Sequence, residues 1–473
     1  MRKNQYIFSS EKLEVLPEGF TSYEFGDYFL YKDKELKCFS AKNGDVEVVV
    51  LGIIINPFQP EQSGSNIVDF LVNFETKESF LNELENYSGR YVVFYKNRSD
   101  FIALTDFIAQ RNIFYWFDSD KTYLFSCEKL LLDILNLEPV ISDKKLTMLN
   151  DNVFSKIKQQ FLLGEDEWDD RFRKLIPNYY LDLNSKKTES LPVYHLEKLS
   201  HEQLIEQSVN ILRGTIHGAI IHFDKVYQAL TAGYDSRLIL TASFPFRENI
   251  QYFLFDRNTT SINNDIKIAQ RLSKTLGFNF QTIKPKSVSE SFKKEFNQEF
   301  VIARDLPKHQ NIQYFKNNAP SNSVNITGDG GEIIRSFRSA ETFSSIDKLL
   351  QSLLYKPFAY NVESLEEWIS KSKNFRDQYG LEIGDQFFIE VSMPKWGAKW
   401  TLEQDFSGVE ELNPFSNRRL IYSILLNTKL EERSGPNFKF VRELMEAMVQ
   451  HSTSIVFNPP TWKDKVKKVL KRI

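Results

Sequence analysis

Two short segments carry residue types whose spacing could handle a phosphate. The first is VYQALTAGYDSRLIL, where an apolar run meets Thr231-Ala232-Gly233-Tyr234-Asp235-Ser236 and a helical pattern begins at once. A helix start offers unpaired N–H groups and a partial positive charge, which suits phosphate. Small residues at 231–233 let the backbone approach an anion closely. Asp235 would repel that anion unless a magnesium ion lies between them. An ordinary strand-to-helix turn, with Asp235 or Ser236 as its N-cap, accounts for the same residues, and this segment alone leaves both readings open. The second segment is VNITGDGGEII, an apolar run ending in a glycine-rich turn at Gly328, with Asp329 and Glu332 at its mouth. On its own it also reads as a turn with solvated acids.

The elements that must position these loops follow from periodicity. Up to about residue 130 the pattern is strand-like, with VEVVVLGIII, GRYVVFYK, FIALTDF and TYLFS separated by polar breaks. YVVFYKNRSDFIALTD reads as a hairpin. From about His201 the period becomes helical: EQLIEQSVNILRGTIHGAI is amphipathic, VYQALT is a buried strand, and RLILTAS is the helix after a tight turn. IQYFLF is a second buried strand. Asp265 is expected to cap the next helix and Gly277 to end it, before the strand FNFQTI. This strand–helix–strand order predicts a parallel sheet in the second half. In such a sheet the strand ends and their loops meet along one edge, where open α/β folds bind ligands. Both acidic loops would then share that edge and could form a metal–triphosphate site. Past residue 340 the chain reads as mostly helical, with SGPN and NPP as breaks.

Length and composition set the frame. A chain of 473 residues exceeds one ordinary core, and 41% hydrophobic with 26% charged residues is the balance of a folded globular protein. The net charge of −3 gives no global reason to expect nucleic-acid binding. Only Cys38 and Cys127 are present, without a CxxC pair, which argues against a disulfide scaffold or structural zinc. His217 and His222, five apart, read as structural. The start MRKNQYIFSSEKLE lacks an apolar core, and the longest apolar run, Val48 to Ile55, is far short of the roughly 20 residues that span a bilayer. A cytoplasmic protein without a transmembrane segment is the expectation. The tail WKDKVKKVLKRI reads as a basic amphipathic stretch, either a solvated final helix or a weak membrane-surface contact.

Four segments together give a resemblance. TAGYDS resembles the SGGxDS pyrophosphate loop of the asparagine synthetase family and its ATP-pyrophosphatase relatives. FLFDRNTTSINNDIKIAQRLSKTLGFNFQTI resembles that family's next βαβ unit, ITGDGGEII its S-G-[ED]-G-x-D-E loop, and NPFSNRRLIYSIL its "NPF" helix entry. In the first half, the stretch from YSGRYVVFYK through FSCEKLLLDIL, and FLLGEDEWDDRFRKLIPNYYLDL, resemble class II glutaminase domains. The likeness spans roughly residues 40 to 460. It implies an α/β fold: an N-terminal α+β sandwich of the Ntn type, then a Rossmann-like parallel-sheet ATP-pyrophosphatase (PP-loop) domain with helical C-terminal additions. The expected division is 1–195 for a degenerate glutaminase-like domain and 196–473 for the synthetase-like domain.

The resemblance also assigns roles. ATP is expected along the sheet edge, its adenine between the strands ending at Leu230 and Phe255, and its triphosphate on residues 231–236 beside Gly328. Mg²⁺ would be held by Asp235 and Glu332. Asp329 stands at the family's catalytic glutamate and would remove a proton from the attacking nitrogen. Lys439, in NFKFVRE, is one residue short of the family's K-x-x-x-R spacing for its catalytic lysine. Arg237 is read either as a phosphate contact or as a solvent-facing helix residue. The chain begins Met1-Arg2-Lys3-Asn4 rather than with the cysteine that a class II glutaminase needs, and it lacks the Arg-Gly-Pro-Asp substrate loop. Glutamine hydrolysis is therefore not expected. The implied activity is an AMP-forming amide ligase joining a small-molecule carboxylate to ammonia or an amine, within a chain that could be a homodimer. A non-catalytic nucleotide-binding member, or a glutamine-dependent asparagine synthetase with a different amino terminus, are the alternatives.

Overall fold

The β-branched and aromatic runs of the first half pair into two antiparallel sheets. The computed structural model describes residues 2–152, 154, 161–304, 308–336, 340–455 and 457. In chain order the strands of this half are β1 (Tyr6–Ser9), β2 (Phe20–Phe25), β3 (Tyr28–Asp33), β4 (Cys38–Asn43), β5 (Val46–Ile55), β6 (Ser88–Lys96), β7 (Phe101–Thr105), β8 (Phe114–Asp118), β9 (Lys121–Phe125), β10 (Arg173–Lys174), β11 (Tyr179–Asp182) and β12 (Lys187–Ser190). One six-stranded sheet runs β10-β8-β9-β1-β3-β2 and the other β12-β11-β7-β6-β5-β4.

The two sheets face each other across an apolar layer. Tyr6, Phe8 and Leu30 of the first meet Val49, Leu51, Val92 and Phe94 of the second, and the Phe8 and Phe94 rings stack with centroids 4.2 Å apart. Alternate residues of β5 point the other way. Val48, Val50 and Ile54 pack with Ile67, Val68 and Leu71 of the Gly64–Leu71 helix and Phe80 and Leu84 of the Lys77–Leu84 helix. Both faces of β5 are thus covered, which is why all ten of its residues are apolar or buried instead of alternating with polar ones. The predicted hairpin forms, β6 pairing antiparallel with β7. Its turn is held by Asn97, whose side-chain oxygen accepts from the Ser99 and Asp100 amides at 2.9 and 2.6 Å.

After the sandwich the chain enters the His201–His222 helix, capped by a Ser200–Gln203 box. It then builds a parallel sheet from β13 (Lys225–Ala229), β14 (Ile250–Phe255), β15 (Phe280–Ile283), β16 (Ser323–Ile326) and β17 (Glu410–Leu412). Their order is β15-β14-β13-β16-β17, and every pairing is parallel. The fold is therefore of the expected α/β class: an α+β sandwich followed by a Rossmann-like parallel sheet with helical additions. Those additions also reach back to the sandwich. Tyr360, Leu365 and Trp368 of the Ala359–Tyr379 helix, with Phe387 and Val391, complete the core between its two sheets.

The seam between sandwich and parallel sheet is ionic and buried. Arg90 of β6 donates to both oxygens of Asp405 at 2.7 and 2.8 Å and to Glu410 of β17 at 2.9 Å. Arg111 donates to both Glu410 oxygens at 2.7 and 2.8 Å. Two cations face two carboxylates, so each charge taken from water keeps a partner.

One local expectation changes. The helix after β14 starts at Thr260, and its cap is Thr259, whose hydroxyl accepts from the Ile262 amide; Asp265 lies inside the helix instead. Gly277 does end it, at φ 72°. His217 stacks on Phe246 with centroids 4.8 Å apart and the ring of His222 meets the Pro60 carbonyl, both structural roles. Among the described residues no helix is long and apolar enough to cross a membrane. The NPP break and the basic tail lie outside the described residues.

Candidate active site

β13 delivers the first loop to the C-terminal edge of the sheet, and β16 the second beside it. Glycine makes the meeting possible. A Cβ on Gly328 would lie 2.9 to 3.0 Å from the Asp235 carbonyl group and the Ser236 amide nitrogen, and one on Gly331 would lie 2.3 Å from Asp235 Oδ1. No larger residue fits at either place. Between the loops opens a cleft of about 1040 Å³, its mouth included, lined by Thr231, Gly233, Asp235, Ser236, Gly328 and Asp329. Phe255 at the end of β14 and the cations Arg257 and Lys308 also line it.

The amides of the loop before the helix are already engaged. Thr231 donates to Ser236 Oγ at 3.1 Å, Gly233 to Thr231 Oγ1 at 3.2 Å, and Ala232 to the Asp265 carboxylate at 2.9 Å. Asp265 thus leaves its expected capping role and fastens the loop; burial raises its pKa and the Ala232 amide opposes that rise. Gly233 is the N-cap of the Tyr234–Ser243 helix and gives it no side-chain cap, so this helix start keeps the partial positive charge that suits an anion.

Asp235 is held by a cation that the sequence did not indicate. Arg335 donates through Nε and Nη2 to its two oxygens at 2.8 and 2.7 Å. Burial raises the Asp235 pKa, and Arg335 opposes that rise. Glu332 lies 3.9 Å from the same guanidinium with its other oxygen, Oε2, buried and unbonded. Burial first, then the charges of Asp235 and Asp329, push the Glu332 carboxyl up to about 7. Asp329 is fixed through its main chain: its amide donates to Thr327 Oγ1 at 3.2 Å and its carbonyl accepts from Asn413 Nδ2.

The structure brings Thr231, Gly233, Asp235, Ser236, Phe255, Gly328 and Asp329 onto one cleft. Leu230 is fully buried, its amide bonded to the Phe253 carbonyl. Tyr234 stacks flat on Phe457 at 3.9 Å, outside the cleft lining. Lys439 is 60% exposed at the side chain, with Glu432 and Glu443 at 3.8 and 3.9 Å, and does not line the cleft either. Arg237 is neither a phosphate contact nor solvent-facing. It is 1% exposed and donates to the Ser452 and Ile455 carbonyls, pinning the C-terminal segment.

As placed, the side chains do not fit a resident magnesium ion. Arg335 takes both oxygens of Asp235, and among the described residues no three His, Cys, Asp or Glu side chains gather to share a metal. Neither cysteine is an activated thiol. Burial pushes Cys127 up to about 11 and also raises Cys38.

No described protein family matches the chain by sequence, and no curated protein does. Among solved structures it is similar to an NH3-dependent NAD synthetase from Campylobacter jejuni, at 12% identity and a TM-score of 0.21, over 40% of this chain and 92% of that one. A glutamine-dependent NAD+ synthetase from Acinetobacter baumannii in complex with ADP aligns at 12% identity and TM-score 0.19, over 52% of this chain and 61% of that one. A glutamine PRPP amidotransferase from B. subtilis complexed with ADP and GMP aligns at 11% and 0.24, over 71% and 70% of the two chains. None of these likenesses decides the chemistry of this chain, which rests on its own cleft.

Proposed function

We propose that the chain is an ATP-dependent, AMP-forming amide synthetase of the asparagine synthetase type, acting without a glutaminase of its own. One observation carries the reading: the loops at 231–236 and 327–332 close on each other at the sheet edge, so a helix N-terminus, two cations and the carboxyl groups of Asp235, Asp329 and Glu411 face one cleft. In this reading the first-turn amides of the Tyr234–Ser243 helix take the phosphates, and Arg257 and Lys308 neutralise charge as a substrate carboxylate attacks the α-phosphorus and pyrophosphate leaves. Ammonia or an amine then displaces AMP from the acyl-adenylate, with Asp329 accepting the proton. The raised thiols of Cys38 and Cys127 support the absence of glutamine hydrolysis.

A second reading, a nucleotide-binding member that does not turn over, is favoured by the Arg335–Asp235 pair, which occupies the carboxylate the family uses for metal. The experiment that separates them is pyrophosphate release from ATP in magnesium buffer with ammonium and a panel of amino acids and uronic acids. Release that needs one carboxylate and disappears in Asp235→Ala supports the synthetase. Nucleotide binding without release supports the second reading, and no nucleotide binding sinks both.

A further inference from the structure

Two of the polar side chains that line the cleft keep buried acceptors without a partner. β16 and β17 run side by side with Asn325 opposite Glu411, and Gln404 joins them from the Ala398–Asp405 helix; all three line the cleft. Each is more than nine-tenths buried. Asn325 Nδ2 donates to the two Glu411 oxygens at 3.0 and 2.9 Å, which fixes the amide, and its Oδ1 is buried without a partner. Gln404 Nε2 donates to Ser407 Oγ at 2.9 Å, leaving its buried Oε1 unpartnered as well. A buried oxygen left without a hydrogen bond is costly, so a ligand that meets both oxygens gains affinity from them.

The donors that could meet them are limited. Lys308, one of the two cations of this lining, rests over the Trp400 ring at 4.3 Å. A hydroxyl brings one hydrogen and would satisfy one acceptor, whereas an ammonium group brings three, with a positive charge that favours the ionised form of Glu411. We infer that Asn325, Gln404 and Glu411 form the subsite for the nitrogen donor, and that this donor is free ammonium or a primary ammonium group. The inference rests on the synthetase reading for the fate of that nitrogen, but the binding itself does not. It makes the chain dependent on dissolved ammonium or a primary amine rather than on nitrogen released within it.

The test is thermal unfolding of the full chain against methylammonium chloride, with tetramethylammonium chloride as a control of equal charge without N–H donors. Methylammonium is expected to raise the midpoint saturably and tetramethylammonium is not. In the isosteric Glu411→Gln, and separately in Gln404→Met, methylammonium affinity is expected to fall roughly tenfold or more. No saturable shift, an equal shift with tetramethylammonium or with magnesium ions alone, or unchanged affinity in both variants would overturn the assignment. ATP binding measured on the same samples keeps the two ideas apart. Methylammonium binding with no ATP binding overturns the synthetase and leaves the subsite standing. ATP binding without methylammonium binding does the reverse.

Discussion

Replacing Glu411 by glutamine should stabilise the protein, and the gain should grow with pH. The carboxyl is 1% exposed, and among the described residues its side-chain hydrogen-bond partner is Asn325. Burial is the main cause of its rise from 4.5 to about 8; Asn325 opposes that rise and the Asp329 charge adds to it. An acid whose folded pKa is raised contributes stability that is complete below its unfolded pKa and is lost as pH climbs through the folded one. From about pH 5 to about pH 7 the wild type should lose roughly 2 to 3 kcal/mol through this group, at about 1.36 kcal/mol per pKa unit. Glutamine does not titrate, so Glu411→Gln escapes that loss. Its amide must still share Asn325, an offset of about 1 kcal/mol that is the same at both pH values. Urea unfolding at the two pH values measures the difference directly. A stability difference between variant and wild type that stays constant from pH 5 to pH 7 refutes the claim that Glu411 is buried as a strained acid. If the gain appears together with lost methylammonium affinity, the residue sacrifices stability for binding, a common trade at functional sites.

The other expectations concern the seam and the loop contact. Arg90→Met leaves Asp405 without its two-oxygen partner inside the protein and should destabilise the fold by about 3 to 5 kcal/mol in urea unfolding; a loss under about 1 kcal/mol would mean that water reaches this seam. Gly331→Ala places a carbon 2.3 Å from Asp235 Oδ1, so it should part the two loops, cost about 1 to 3 kcal/mol and weaken ATP binding. Unchanged ATP affinity in a folded Gly331→Ala protein would count against the closed-loop site.

Local chemistry was legible wherever the physical cause is local. The turn after VYQAL, the glycines of TGDGG, the hairpin around KNRSD and the stop at Gly277 all follow from backbone constraints within a few residues. The parallel sheet followed from alternation of buried runs with helical ones. The misreadings arose where a side chain answers to something distant. Asp265 looked like a cap because aspartate favours caps, yet its carboxylate is taken by Ala232, 33 residues earlier, while Thr259 serves the helix. Arg237 looked exposed because nothing in its neighbourhood predicts that the C-terminal segment returns to cover it.

The sequence by itself determined the two loops and the strands that present them, because these depend on glycine and on periodicity. Only the tertiary structure decided who sits beside whom. Arg335 meets Asp235 across 100 residues, Asn325 meets Glu411 across 86, and Arg90 meets Asp405 across 315. Such pairs are set by strand order and register, through which one residue's charge finds another's after the chain has closed on itself. Pattern within a segment carries no record of that choice, so the counter-ion of Asp235 and the unpartnered acceptors of the cleft had to be seen in three dimensions.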